Sequence, residues 1–370
     1  MKKTRYKNLF IHASLQFCGH IDEYFIKHTK KLVVYIVQPR LRNKQNLLRF
    51  YKNGKLIEEK KVYSSSNIFL YYFSWYIFYI YGLISFFNKN EKIFVVGGHP
   101  LTFFFMSLQK VVRQINFVYW IGDYFPDESF FIKLFEKLKK HYHDKLNYSL
   151  YLSNGINKVF NGKLVDTNNR KTVMWGVKPL KSNRKKMDFK KKSFTILFVG
   201  LIKESQGIEF LLKYLSNKKN YTLNIVGICD NKLYIKYQNL IKKYQLNNRV
   251  NFPNSFISNN DLKKLAEKSD VGIALYNIDA SNPTYYTDPG KVKAYAEMNL
   301  PIIMTRVSGI AEYVNKFNAG ILVSRSEKDL EESFSEIEKN YKDYLDGLSK
   351  FNNYFNYEKY YKNKFKFLEL

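Results

Sequence analysis

The chain has 370 residues, 45% of them hydrophobic and 25% charged, with a formal net charge of +29 at pH 7. Such a length builds two domains of ordinary size, and this balance excludes an intrinsically disordered chain. The two cysteines, Cys18 and Cys229, lie far apart, which excludes a disulfide framework or cysteine zinc site and suits a reducing compartment. The positive charge favours an anionic membrane surface, a phosphorylated substrate or nucleic acid. Nucleic acid is the weakest of these, because the lysines are scattered rather than gathered into a recognised module. No apolar core follows Met1-Lys2-Lys3, so no signal peptide is expected.

Asn8 to Ser14 predicts a first buried strand, followed by a loop around Cys18-Gly19-His20. Leu32 to Gln38 predicts a β-branched second strand ending at Pro39, and Phe50 to Val62 a hairpin turning at Asn53-Gly54. Ile68 to Phe87 is an uncharged aromatic run, and its roughly 20 residues are enough to cross a bilayer as a helix. Three readings are open: a span, a core helix, or a helix resting on a membrane. The tyrosines, Ser74, Gly82 and Ser85 favour an interfacial or partly buried helix. A span would also sever the first strands from their sheet.

Lys92 to Gly97 predicts the next strand, with Gly98-His99-Pro100 as its exit loop. Thr102 to Gln114 predicts a helix and Phe117 to Ile121 a strand, with Gly122-Asp123-Tyr124-Phe125-Pro126 at its carboxyl end. Ligands of open α/β sheets bind beyond such ends, so His99 and Asp123 are candidate site residues. Ser129 to Tyr142 reads as an amphipathic, lysine-rich helix, and short strands follow near Leu150 to Ser153 and Thr172 to Trp175. Lys178 to Ser193 is basic, polar and without periodicity. The expected layout is a first domain over 1–177, a linker over 178–193, a second domain over 194–345, and a segment 346–370 returning to the first.

The second domain opens with Phe194 to Val199, a continuous apolar strand of the kind buried in a parallel sheet. A loop from Gly200 to Gly207 and a helix from Ile208 to Leu215 follow. Next come a strand at Tyr221 to Val226 ending at Gly227, a helix from Asn231 to Tyr244 and a strand at Val250 to Phe252. A helix from Asp261 to Lys268, capped by Asn259 or Asn260, precedes the strand Val271 to Leu275. Asp288-Pro289-Gly290 is then turn chemistry, and Lys291 opens a helix stopped by Leu300-Pro301. A glycine beside a lysine at a helix N-terminus suits an anion such as a diphosphate.

Pro289, Lys291, Tyr295, Leu300-Pro301-Ile302-Ile303, Gly309, Glu312 and Gly320 fall in order at fixed intervals. This set resembles the donor-binding half of GT-B glycosyltransferases, especially glycosyltransferase family 4 and its relatives. Phe198-Val199-Gly200, Gln206-Gly207, Ile225-Val226-Gly227, Arg249 to Phe252 and Asp270 to Ile273 extend the likeness over about residues 194 to 323. The resemblance implies an α/β fold of two Rossmann-like domains facing a cleft, with a C-terminal helix crossing back. It also implies a nucleotide-diphosphate sugar as substrate, no obligatory metal and no cofactor. Among site residues, it implies that Lys291 contacts the diphosphate while Gly200 and Gly290 admit it to the backbone. Phe256 and Ile257 would line the nucleobase pocket, and Glu312 would sit near the sugar. Gly207, Gly227, Asp288 and Pro289 belong to the same loops.

Two departures stand out. The family often places Arg and Lys in the first glycine loop, where this chain has Leu201 and Gln206, and Lys203 is the nearby replacement. Retaining members use a Glu-x7-Glu pair, and those positions here are Tyr286 and Ala294, with Asp288 and Glu297 out of phase. Retention or inversion therefore stays open. An inverting enzyme needs a base from the first domain, for which Asp123 is the first candidate and His99 the second. The expected function is hexosyl transfer to a saccharide or lipid-linked acceptor in surface polysaccharide synthesis. The expected place is cytoplasmic, peripheral on the inner face of the plasma membrane. A non-catalytic subunit that binds a partner transferase or acceptor is the alternative that the missing glutamates motivate.

Overall fold

The computed structural model describes residues 5–14, 19–38, 45–126, 129–179 and 194–369. The expected linker lies, beyond Pro179, outside the described residues. The chain divides into two compact units, one of Met1–Gly176 with Tyr357–Leu370 and one of Val177–Asn356.

The first unit is built on strands β1 (Tyr6–Ser14), β2 (Thr29–Val37), β3 (Asn46–Lys52), β4 (Lys55–Val62), β5 (Ile93–Gly97), β6 (Ile115–Ile121), β7 (Tyr148–Tyr151) and β8 (Arg170–Thr172). Their order is β4-β3-β2-β1-β5-β6-β7-β8. All neighbours are parallel except β2–β3 and β3–β4. Parallel pairing of β1 with β2 demands a crossover, supplied by a helix at Ile21–His28 that the sequence reading did not distinguish. The hairpin turns at Asn53 and Gly54 with φ of 53° and 81°, the double positive that Asn-Gly tolerates best. Lysines and glutamates along β4 protect that open edge.

The aromatic run forms a helix over Ile68–Phe86, and the Asn67 side chain caps it by accepting from the Phe69 and Leu70 N–H groups. Tyr71, Trp75, Tyr79 and Leu83 are buried. Gly82 lies so close to Phe10 that an added Cβ would sit 2.8 Å from its ring. Phe69, Leu70, Phe73, Ile77 and Ile84 remain exposed on the same helix. The helix is long and apolar enough to cross a membrane, but in this fold it covers β2 and β3 with one face. The next helix starts at Pro100, earlier than expected, because His99 caps it and proline suits the first helical position; it ends at Ser107 in a 3-10 turn over Leu108–Val111.

The second unit carries β9 (Phe194–Val199), β10 (Tyr221–Val226), β11 (Val250–Asn251), β12 (Val271–Ala274), β13 (Ile302–Thr305) and β14 (Gly320–Val323). They form a parallel sheet in the order β11-β10-β9-β12-β13-β14. The helix Asn259–Glu267 is capped by Ser258, not by the asparagines after it, since the Ser258 hydroxyl is the group that accepts from the Asp261 N–H. Each sheet reverses its strand order once, between β1 and β5 and between β9 and β12. Such points open ligand-sized crevices at the strand carboxyl ends.

The returning segment begins later than residue 346. The helix Tyr341–Tyr354 stays with the second unit, where Asn352 Nδ2 donates to Ala296 O at 2.7 Å. From Tyr357 the chain packs on the first unit. There the Tyr361 hydroxyl donates to Gly19 O and accepts from the Gly176 N–H, each at 2.7 Å. Phe365 lies against Phe25, with ring centroids 4.9 Å apart.

Candidate functional site

In the second unit, the carboxyl ends of β9 and β10 cross at two glycines. A Cβ on Gly227 (φ 155°) would stand 1.8 Å from Gly200 O, so this crossing admits glycine alone. Lys291, in the first turn of the helix Gly290–Glu297, reaches the same place, and a Cβ on Gly200 would lie 3.4 Å from its Cε. Its ammonium donates to Gln206 Oε1 at 2.9 Å and sits 3.6 Å from the Phe198 ring centroid. Among the described residues, no carboxylate lies within ion-pair reach of it, and burial pushes its pKa well below that of an ordinary lysine. Gly200, Gln206, Gly227 and Lys291 are thus brought together. Gly207 caps the helix Ile208–Ser216 beside them, and Lys203 is exposed next to Gln206, whose N–H donates to its carbonyl. Pro289 is the buried N-cap of the lysine helix, and Gly290 its exposed first residue.

Asp288 faces elsewhere. Its buried carboxylate lies 3.8 Å from Nζ of Lys293, a residue two positions past Lys291 and so about 200° around the helix. The Lys293 ammonium stands 3.0 Å over the Phe355 ring centroid and has no hydrogen-bond partner among the described residues. Burial brings its pKa down to about 7, against the opposing pull of Asp288 and Glu297. Lys293→Met is expected to cost about 3 kcal/mol in urea unfolding by removing the cation that stands 3.8 Å from the buried Asp288 carboxylate. Adding Asp288→Asn should restore most of that loss. Wild-type stability in the single variant would refute the pairing. Glu297, out of phase in the sequence, instead accepts from the Lys178 N–H at 2.8 Å.

Phe256 is 57% exposed on the loop before the helix Asn259–Glu267, with Ile257 partly exposed beside it. Glu312 is exposed in the first turn of the short helix Ile310–Lys316. Among the described residues, no hydrogen bond or ion pair joins these three to Lys291. Arg325, absent from the sequence reading, bonds the glycine-loop carbonyl of Ser205 and donates to Leu275 O at 2.7 Å. It straps that loop to the end of β12. A lone arginine after a strand carries no sequence signal of such a role.

In the first unit, the ends of β1, β5 and β6 surround a cavity of about 280 Å³. His99 and Asp123, chosen from separate loops in the sequence, both line it, and Asp123 is exposed at its edge. His99 Nδ1 accepts from the Leu101 N–H at 3.3 Å. Burial, and then the charge of Lys139, bring its pKa down to about 4, which makes it a poor base at neutral pH. Lys139 is buried, with its ammonium 2.7 Å from Glu136 Oε1 and 2.6 Å from the Asp123 carbonyl oxygen. It therefore fixes the backbone that carries Asp123. Sequence reading missed Lys139, because it looks like one more lysine of a basic helix.

Residues 193–342 match the family model described as Glycosyl transferases group 1. No curated protein matches the chain. Sucrose-phosphate synthase from Thermosynechococcus elongatus is similar in structure, with 13% identity, 98% of each chain covered and a TM-score of 0.70. Anabaena HepE in complex with UDP-glucose is 13% identical over 98% of this chain and 99% of that one, with a TM-score of 0.69. WaaG, a glycosyltransferase involved in lipopolysaccharide biosynthesis, is 15% identical over 97% and 98%, with a TM-score of 0.60. The fold is the GT-B fold these proteins share.

Proposed function

We propose that this chain, a GT-B fold carrying a glycosyl transferases group 1 domain over residues 193–342, moves a hexose from a nucleoside-diphosphate sugar to a saccharide or lipid-linked saccharide in surface glycan synthesis. The observation that carries this reading is Lys291, a partly desolvated ammonium with no carboxylate partner at the Gly200–Gly227 crossing. A diphosphate would supply the missing charge, with backbone N–H groups completing its cradle and no obligatory divalent cation. Because HepE is described with UDP-glucose, UDP-sugars are the first donors to test.

Asp123 is the base that takes the acceptor hydroxyl proton as the nucleoside diphosphate leaves. Lys139 holds its backbone from below, and His99, capping a helix, positions the neighbouring wall. Asp123→Asn is expected to lower turnover of radiolabelled UDP-sugars by about 100-fold or more, with UDP affinity unchanged. Equal turnover would remove Asp123 from this role. The absent carboxylates at Tyr286 and Ala294 favour a second reading, a non-catalytic subunit. Neither hydrolysis nor transfer by the wild-type chain, across UDP-, GDP- and ADP-sugars, would select it.

A peripheral place on the inner, anionic face of a plasma membrane completes the reading. The aromatic helix Ile68–Phe86 touches the helix Pro100–Ser107 through Tyr76 and Phe105, with centroids 5.8 Å apart. That helix meets Phe130–Lys145 through Phe103 and Tyr142 at 6.0 Å. Phe69, Phe73 and Phe104 are exposed on the first two, Val111 on the 3-10 turn after the second, and the third begins with Phe130 and Phe131, 74% and 80% exposed. Lys133, Lys137 and Lys140 follow and border a second cavity of about 420 Å³ floored by Phe125, Val159 and Phe160. Aromatic tips beside lysines suit an anionic bilayer and the phosphate of a lipid-linked acceptor.

A further inference from the structure

Four strands end the two sheets: β4 and β8 in the first unit, β11 and β14 in the second. Three of them are short, with 3 residues in β8, 2 in β11 and 4 in β14. Shortness is one of the usual guards of an edge against stray pairing. β4 has 8 residues, and the sheet offers its outer backbone no further strand. Leu56 and Ile57 at one end of it and Tyr63 just past the other are 51%, 60% and 61% exposed. A long edge tipped with apolar side chains is a template for another strand.

The charges between those tips say which strand. Glu58-Glu59-Lys60-Lys61 carries two acids and two bases, in a chain with 61 basic and 32 acidic residues. Such a row meets most strands with at least one like charge, and that is how it guards the edge. A second copy of β4 running antiparallel is different. In a two-fold pairing one residue lies opposite itself on the axis, and the rest follow in reciprocal pairs. With Lys60 on the axis, Glu59 of each copy comes opposite Lys61 of the other, and Ile57 opposite Tyr63. Arg49 Nε, 2.6 Å from Glu59 Oε2, already holds that carboxylate in place. The two Lys60 ammoniums are each compensated, since each lies 3.0 Å from Glu58 Oε1 and donates to the Tyr81 hydroxyl. Moving the axis to Glu59 sets two carboxylates against each other and Ile57 against Lys61. Moving it to Lys61 sets Glu59 against Tyr63. The register shift at Phe50 and Tyr51 leaves Ile57 outside the ladder with β3, so the regular stretch open to a partner runs from Glu58 to Val62.

We propose that β4 is the interface of a two-fold homodimer, formed by antiparallel pairing with β4 of a second copy about Lys60 and specified by two reciprocal Glu59–Lys61 pairs. The axis stands perpendicular to the sheet, so both copies turn the aromatic helix Ile68–Phe86 to the same side. A surface met by one of these helices is then met by two, the second at raised effective concentration. The pairing needs neither donor nor acceptor and stands apart from the transfer chemistry.

The test is sedimentation equilibrium of the full chain, whose dimer has twice the 44.1 kDa of one copy. Glu59 and Lys61 are both exposed, so reversing either charge leaves the core untouched. Glu59→Lys and Lys61→Glu should each raise the dimer Kd about tenfold or more, because both reciprocal pairs become like-charged. An equimolar mixture of the two variants should dimerise again, since each variant then faces its opposite. The double variant Glu59→Lys with Lys61→Glu should dimerise by itself for the same reason. Amide exchange over Glu58–Val62 should be slower in the wild type than in Lys61→Glu at the same concentration. Circular dichroism melts within a few degrees of the wild type verify that the variants are folded.

A wild-type chain that stays monomeric up to about 100 μM overturns the proposal, since a pairing weaker than that holds few copies together. Single variants that dimerise as the wild type does would place the interface on another face. Loss of dimer in the singles without recovery in the mixture would refute the register about Lys60.

Discussion

Lys291→Met is expected to weaken UDP binding about 100-fold, the loss of one to two charge-assisted hydrogen bonds in a partly desolvated place. The pH dependence has a definite sign. Burial depresses the pKa of Lys291 in the free protein, and a bound diphosphate would raise it again. Binding therefore takes up protons, and affinity falls as pH rises from the depressed value toward the restored one. Calorimetry in two buffers of different ionisation enthalpy measures the uptake directly. Lys293→Met, only two residues away, should leave UDP affinity nearly unchanged, because its ammonium faces Asp288 and Phe355. Wild-type UDP affinity in Lys291→Met, or proton release on binding, would defeat the phosphate role.

Replacing Phe130 and Phe131 together by serine should abolish flotation with anionic vesicles while leaving the fold intact, since both rings already face solvent. Each phenylalanine contributes about 1.5–3 kcal/mol when its side chain leaves water, so losing both lowers partitioning by about 100-fold or more. Lys133, Lys137 and Lys140 add attraction of about 1 kcal/mol each near a charged surface, an effect that salt should erode. Uncharged vesicles should bind the wild-type chain less tightly. Unchanged flotation of the double variant would move the contact elsewhere or remove it.

The parallel sheets were legible in the chain because period and composition encode them. Phe194–Val199 and Val271–Ala274 are apolar on both faces, which suits only a strand covered from both sides. The Asn53-Gly54 turn and the Gly290 helix start also follow from local backbone chemistry. The helix at Ile21–His28 was less visible, since its eight residues bury only Ile21, Tyr24 and Phe25, too short a pattern to set a period. The cap at Ser258 was displaced by one position, within the usual uncertainty of a helix end among three polar residues.

Site chemistry divides along the same line. Lys291, Gly200 and Gly227 could be named in advance, because a glycine crossing and a lysine at a helix mouth are properties of short segments. Which lysine of a lysine-rich chain loses its water was not written in any segment. Lys139 and Lys293 are buried only because Glu136, Asp123, Asp288 and Phe355 converge on them in three dimensions. The sequence alone determined the two α/β units and the placement of Lys291 at a helix mouth, because backbone propensity and apolar period act over a few residues. Only tertiary structure decided desolvation, pairing and the lining of the cavity, because these depend on which distant side chains exclude water from one another.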